Sequence, residues 1–124
     1  MIRATVGVVL VLWLTGCGGS DGAAVYVVST VQSCLSRAGA DTRSEVDLLA
    51  AKANAGAFEA ELPNGDVATL AFENTSAQAE AIQAAYRPFA EAAAGEVERH
   101  GNLVIAWDQE PAEDSVDLVN GCLG

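Results

Sequence analysis

Apolar residues recur along this chain in two periods, and the switches between them outline its elements. Val27, Val31, Cys34, Leu35 and Ala38 share one side of a 3.6-residue period, which predicts a helix over 25–38 with Gly39 as its stop. The β-branched stretch 24–28 leaves a strand as the alternative there. Val46, Leu49, Ala50 and Ala53 predict a second, weaker helix over 43–54, capped by Thr42 with Glu45 or by Ser44 with Asp47. A short strand within 40–46 is the alternative. From residue 57 the period changes to two. Phe58, Ala60 and Leu62 alternate with Glu59 and Glu61, and Ala68, Leu70 and Phe72 alternate with Thr69 and Ala71. Both apolar sets share a face only if paired positions sum to an even number. A three-residue Pro63-Asn64-Gly65 loop meets that condition and pairs Ala60 with Ala68, whereas a two-residue turn does not.

The helical period returns over Thr75–Ala94, with Thr75 and Gln78 as a capping box. Ile82, Tyr86 (or Ala85), Phe89 and Ala93 form its buried stripe, and Pro88 predicts a kink or stop near Tyr86–Arg87. Glu96–Arg99 reads as a short strand and His100–Asn102 as a turn. Leu103–Trp107 is apolar on both alternating faces, as in a covered central strand. Pro111 opens a last helix over 111–122, with Val116, Val119, Cys122 and Leu123 inward. The expected fold is α+β: an antiparallel sheet of three or four strands with helices mainly on one face.

The chain's 124 residues suffice for one domain. Seventeen acidic residues against 6 basic ones give a net charge of −11. Such a surface repels nucleic acid and anionic lipid head groups, and nucleic-acid binding is excluded on that ground.

Residues 1–16 have the layout of an export signal. Arg3 supplies a cationic start, and Ala4–Leu14 is an apolar run of 11 residues, too short to span a bilayer. The run ends in Leu14-Thr15-Gly16-Cys17, which resembles the lipobox of bacterial lipoproteins. The resemblance implies a diacylglyceryl thioether on Cys17, cleavage before it, and acylation of the new amine; two or three acyl chains hold a protein firmly to a membrane. Residues 17–23 then form the lipidated cysteine and a flexible polar tether, and 24–124 a single domain.

With Cys17 assigned to lipid, Cys34 and Cys122 remain as a pair suited to an oxidising compartment. A disulfide between them would join the first and last helices; two buried thiols or a redox pair are the alternatives. The C-x-x-C spacing of a redox pair is absent, and two distant cysteines with one histidine make no zinc signature.

Candidate chemistry is sparse. His100 reads as an exposed turn residue rather than a general base. The acidic run Asp108, Glu110, Glu113, Asp114 and Asp117 lacks the alternation and central glycine of a calcium loop, and reads as carboxylates near a helix N-terminus. The pairs Glu59/Glu61 and Glu96/Glu98 read as solvated strand positions, with a glycosidase-like dyad as the sharper alternative. Trp107 is a core residue by position and the one candidate for stacking on a ligand. No catalytic residue, cofactor or metal ligand is assigned.

Cys34-Leu35 with Ala38-Gly39, the Gly101–Trp107 strand and the closing Cys122-Leu123 resemble small envelope lipoproteins of actinobacterial type. That resemblance supports the disulfide and a non-enzymatic role, and brings no catalytic residues. It implies a lipid anchor in the outer leaflet of the cytoplasmic membrane, or in the outer membrane of a diderm host because residue 18 is Gly rather than Asp. The expected function is a lipid-anchored extracytoplasmic binding or interaction module, its partner an envelope protein or a small molecule. A small carboxylate-dependent envelope hydrolase and a purely structural envelope component are the alternatives.

Overall fold

The computed structural model describes residues 25–124. The expected export segment, lipidated Cys17 and tether lie outside the described residues. Nine elements follow in order: α1 (Val28–Arg37), β1 (Asp41–Arg43), α2 (Leu48–Ala51), β2 (Ala57–Glu61), β3 (Val67–Phe72), α3 (Ser76–Ala93), β4 (Glu96–His100), β5 (Leu103–Trp107) and α4 (Glu113–Gly121). The fold is α+β, as expected. The five strands form one antiparallel sheet in the order β1-β2-β3-β5-β4.

The hairpin register follows the parity argument. Ala60 pairs with Ala68 and Phe58 with Leu70. Gly65 takes the left-handed conformation that the loop needs (φ 99°), and the Leu62 N–H donates to the Asp66 carbonyl at 2.7 Å. Phe58, Ala60, Leu62, Ala68, Leu70, Phe72, Leu103, Ile105 and Trp107 therefore share one face. α1 and α4 cover that face through Val31, Leu35 and Val119. The disulfide Cys34–Cys122 joins them, with Cα atoms 5.7 Å apart and a sequence separation of 88.

Two expectations are corrected. The sheet has five strands, not three or four, because Asp41–Arg43 pairs with β2. The strand alternative within 40–46 holds: Arg43 lies opposite Glu59, and its guanidinium meets Glu61 at 2.9 Å and Glu59 at 3.5 Å. These cross-strand charges seat a segment whose helical stripe was weak. The helix expected over 43–54 shrinks to Leu48–Ala51, where the Asp47 side chain accepts from the Ala50 N–H at 2.9 Å.

Helices also cover both faces, not mainly one. Ala79 and Tyr86 of α3 pack on Val104 and Ala106, joined by Leu49 of α2. The two-sided apolar run Leu103–Trp107 requires this cover, since every one of its residues is buried.

α1 starts at Val28 rather than 25. The buried Asn102 side chain accepts from the Tyr26 N–H (2.6 Å) and donates to the Tyr26 carbonyl (3.0 Å) and the Glu73 carbonyl (2.8 Å). Those bonds hold the incoming chain extended up to Val27. α3 runs through Pro88 without a stop. Proline removes one helix bond, but the helix rests along β4 and β5, and that packing outweighs the loss. At its end Ala94 adopts the left-handed conformation (φ 59°) rather than Gly95. Gly95 is needed for a different reason: a Cβ there would collide with the Trp107 carbonyl.

α4 is anchored by an aspartate from the hairpin. Ala112 at its N-cap offers no side-chain acceptor, and Asp66 Oδ2 substitutes, accepting from the Ala112 N–H at 2.9 Å and the Ser115 hydroxyl at 2.7 Å. These bonds, the Ala112 N–H foremost, hold the Asp66 carboxyl below its usual range. A depressed folded-state value stabilises the fold above the ordinary aspartate pKa of about 4 and is lost as pH falls through the lower folded value. Asp66→Asn should therefore flatten the acid limb of the stability profile, measured as denaturation midpoint against pH. An unchanged acid limb would remove Asp66 as its source.

Candidate functional site

The face covered by α2 and α3 carries a cleft of about 370 Å³. Its shape follows from residue size: Ala90, Ala93 and Ala106 line it and fill little of the space between α3 and the sheet. Asp47, Thr69, Tyr86 and Asp108 supply its polar groups. Each is placed by a different element. Asp47 caps α2, Thr69 is a buried position of β3, Tyr86 faces inward from α3, and Asp108 follows the last residue of β5.

Tyr86 and Asp47 are the fixed part of the site. The phenol of Tyr86 is 2.7 Å from Asp47 Oδ1 and 2.9 Å from Oδ2, so its single proton is shared between both carboxylate oxygens. Burial, and then the Asp47 bond and charge, push the Tyr86 phenol far above the ordinary tyrosine range, so it keeps its proton. Asp108 sits beside this pair. Burial first, and then the charge on Asp47, raise its carboxyl above the usual range. A cation or hydrogen-bond donor entering the cleft relieves that repulsion.

A second, apolar groove of about 390 Å³ adjoins the cleft and shares Asp47, Tyr86 and Phe89 with it, adding Leu48 and Leu49. Leu48 is 82% exposed and Phe89 65% exposed. The combined surface thus places two carboxylates and a phenol next to a solvent-facing apolar rim. It is suited to a molecule with a positive or donor-rich end and an apolar body.

The structure sorts the other candidate residues. Cys34 and Cys122 are bonded to each other on the opposite face of the sheet, away from the cleft. Trp107 is 3% exposed within the main core, though the residue also borders the cleft. Its indole N–H donates to Glu98 Oε2 at 2.8 Å, while Glu98 Oε1 lies 2.6 Å from His100 Nε2. The His100 bond, helped by Trp107, lowers the Glu98 carboxyl below its usual range. His100 is thus the half-buried last residue of β4 rather than an exposed turn residue. Glu59 and Glu61 lie on the α3 face and are held by Arg43, whereas Glu96 and Glu98 pair with Trp107 and Ile105 on the disulfide face. Those two pairs cannot meet across one cleft. Among the described residues no group of three His, Cys, Asp or Glu side chains is arranged to hold a metal ion. No helix of the described residues is long and apolar enough to cross a membrane.

The cleft could not be assembled from the sequence. Asp47 read as a cap, Tyr86 as core and Asp108 as one of an acidic run. One signal was present: a tyrosine on a buried helical stripe needs a partner for its hydroxyl. Comparison with family models, with curated proteins and with solved structures returns no match.

Tyr86→Phe should cost about 1.5–3 kcal/mol, the range for a hydrogen bond to a charged group. The raised phenol also sets the alkaline limit. Below about pH 10 both folded and unfolded tyrosine are protonated and stability is unaffected; above it the unfolded state loses its proton first and stability falls toward the higher folded value. Denaturation at a series of alkaline pH values should show this fall in the native chain and a smaller one in the variant. Equal slopes would contradict the bond.

Proposed function

We propose that this chain is a lipid-anchored binding module of the cell envelope, displayed at the extracytoplasmic face of its membrane through Cys17. Its ligand joins a cationic or donor-rich group to an apolar body and docks in the Asp47–Tyr86–Asp108 cleft and over Leu48 and Phe89. The observation that carries this reading is the meeting of Asp108 and the Tyr86-bonded Asp47 in one cleft that opens onto an exposed apolar rim. The Leu14-Thr15-Gly16-Cys17 lipobox and the disulfide support the address.

A photo-crosslinking amino acid at Phe89, introduced into the chain on intact cells, tests the reading. It should capture a defined species, and Asp108→Asn should reduce that capture. The same crosslinker at Ser33, on the disulfide side, should not capture it. Equal background from both positions would sink the binding reading. Cys17→Ser tests the anchor separately: the protein should leave the membrane fraction and lose its acyl mass. Retention in the membrane at unchanged mobility would overturn it.

A second reading, a small carboxylate-dependent hydrolase, draws on the same cleft, because Asp47 and Asp108 come from separate elements and burial raises the Asp108 carboxyl above its usual range. Asp47 already accepts from Tyr86 and from the Ala50 N–H, which commits it to holding the structure. If a captured ligand is released cleaved by the native chain and intact by Asp108→Asn, hydrolysis replaces binding as the function.

A further inference from the structure

We propose that the opposite flank of α3 is an oxyanion site, built from Arg87 and Arg99 and selective for a phosphate group. α3 divides its face of the sheet in two. Tyr86, Ala90 and Ala93 turn toward the acidic cleft, whereas Glu80, Gln83, Ala84 and Arg87 form the other flank. Those four positions follow the i, i+3, i+4, i+7 spacing of one helix side. With Arg99 from β4 they line a separate cavity of about 320 Å³.

Two of the chain's 6 basic residues converge here, although its net charge of −11 opposes anion binding in general. The contrast with Arg43 is informative. Arg43 lies within 4 Å of three carboxylates, those of Asp41, Glu59 and Glu61, and its charge is spent on the sheet edge. Among the described residues Arg99 has one ion-pair partner, Glu80, whose side chain is 65% exposed and whose carboxylate lies 3.6 Å from Nη2. So loose and solvated a pair holds its arginine weakly. Arg87 has no ion-pair partner among the described residues. The cavity therefore carries two guanidinium groups against one carboxylate.

A second observation points the same way. Arg99 Nη1 donates to the Gly101 carbonyl at 3.1 Å, which fixes the guanidinium plane, yet its Nε is buried with no acceptor. A buried unpaired donor is costly and rare in a folded protein. A guanidinium fixed through Nη1, in a cavity that Arg87 also lines, is prepared for an acceptor carrying several oxygens. Phosphate suits a two-arginine fork better than a single-oxygen ligand, because it can accept from both groups at once. The gap between Arg99 and Glu80 lets the carboxylate swing toward solvent when the anion enters. The phosphate can belong to a soluble molecule or to a membrane lipid head group; the chemistry at the two arginines is the same.

Inorganic phosphate is the probe. It is titrated into the full chain in detergent, and the arginine Nε–H and backbone amide resonances are followed by NMR. Arg87 and Arg99 should shift together and saturably, with Arg37 and Arg43 as internal controls that do not. Arg87→Gln, at an exposed position, should weaken binding by about tenfold. Glu80→Gln should tighten it severalfold by removing the competing carboxylate, a gain that a merely structural Glu80 would not produce. A parallel arm adds vesicles of phosphatidylcholine with or without phosphatidylglycerol. A response to free phosphate alone makes the source soluble, and a response to anionic vesicles alone makes it a head group; either supports the site. Shifts that do not saturate, that spread equally to Arg37 and Arg43, or that are unchanged by both variants would overturn it.

Discussion

Reduction of the Cys34–Cys122 disulfide should remove about 4–5 kcal/mol of stability, the largest single loss expected in this domain. The bond links residues separated by 88 positions, so it closes nearly all of the described chain into one loop. In the chain-entropy model such a loop restricts the unfolded ensemble by that amount. A small domain has a net stability of roughly 5–15 kcal/mol, so the loss is a large share of the total. Geometry makes the effect local as well as global. Cys34 lies on α1 and Cys122 caps α4, and both helices cover the same face of the sheet. Without the bond, α4 is held by Val119, its neighbours and the hydrogen bonds to Asp66 and Asn64. Urea denaturation of the native chain with and without reductant, beside a Cys34→Ala/Cys122→Ala variant, measures the difference. Intact mass should rise by about 2 Da on reduction before unfolding is attempted. A midpoint that does not move would show that the loop contributes nothing.

Phe72→Ala should cost about 3–5 kcal/mol, while Phe89→Ala should change stability by less than about 0.5 kcal/mol. Phe72 is fully buried and stacks on Phe58 with ring centroids 5.9 Å apart. Its backbone N–H and carbonyl are bonded to Gly56 and Ala55, so the strand cannot shift to fill the space left by the ring. A cavity then adds to the lost burial. Phe89 is 65% exposed on the rim of the cleft, and its removal uncovers little. The same Phe89→Ala change should weaken ligand capture by a crosslinker placed at Leu48, on the other side of the rim. Chemical denaturation of both variants, run together, makes the comparison. A loss at Phe89 as large as that at Phe72 would mean that the rim is part of the core and not a docking surface.

Those two phenylalanines show how far a hydrophobic pattern reads. Phe72 belongs to a strict alternation with Ala68 and Leu70, and a strand has only two faces, so its inward direction was legible. Phe89 shared a helical stripe with Ile82 and Tyr86 and was expected inside. A helix has no second face to contradict such a reading, and where it meets the sheet depends on its tilt. In the last turns Ala90 takes the partly buried position and Phe89 turns outward. The helix over 43–54 failed for a related reason. A weak apolar stripe competed with cross-strand pairing to β2, and the second partner lies far along the chain. Pro88 was read by its local effect, which sheet packing overrode.

By itself the sequence determined the α+β class, the hairpin register about Pro63-Asn64-Gly65, the caps at Thr75 and Gly39, and the candidate cysteine pair. Each depends on a period, a parity or a turn residue, and these act within a few positions. Only the tertiary structure decided that α2 and α3 cover a second face, because strand order β1-β2-β3-β5-β4 buries β3 and β5 from both sides. It alone brought Tyr86 to Asp47 across 39 positions of sequence and set Asp108 beside them. No local pattern encodes that meeting. A carboxylate and a phenol find each other through the packing of helices on a sheet, and the same packing leaves Arg87 and Arg99 together on the other flank of α3.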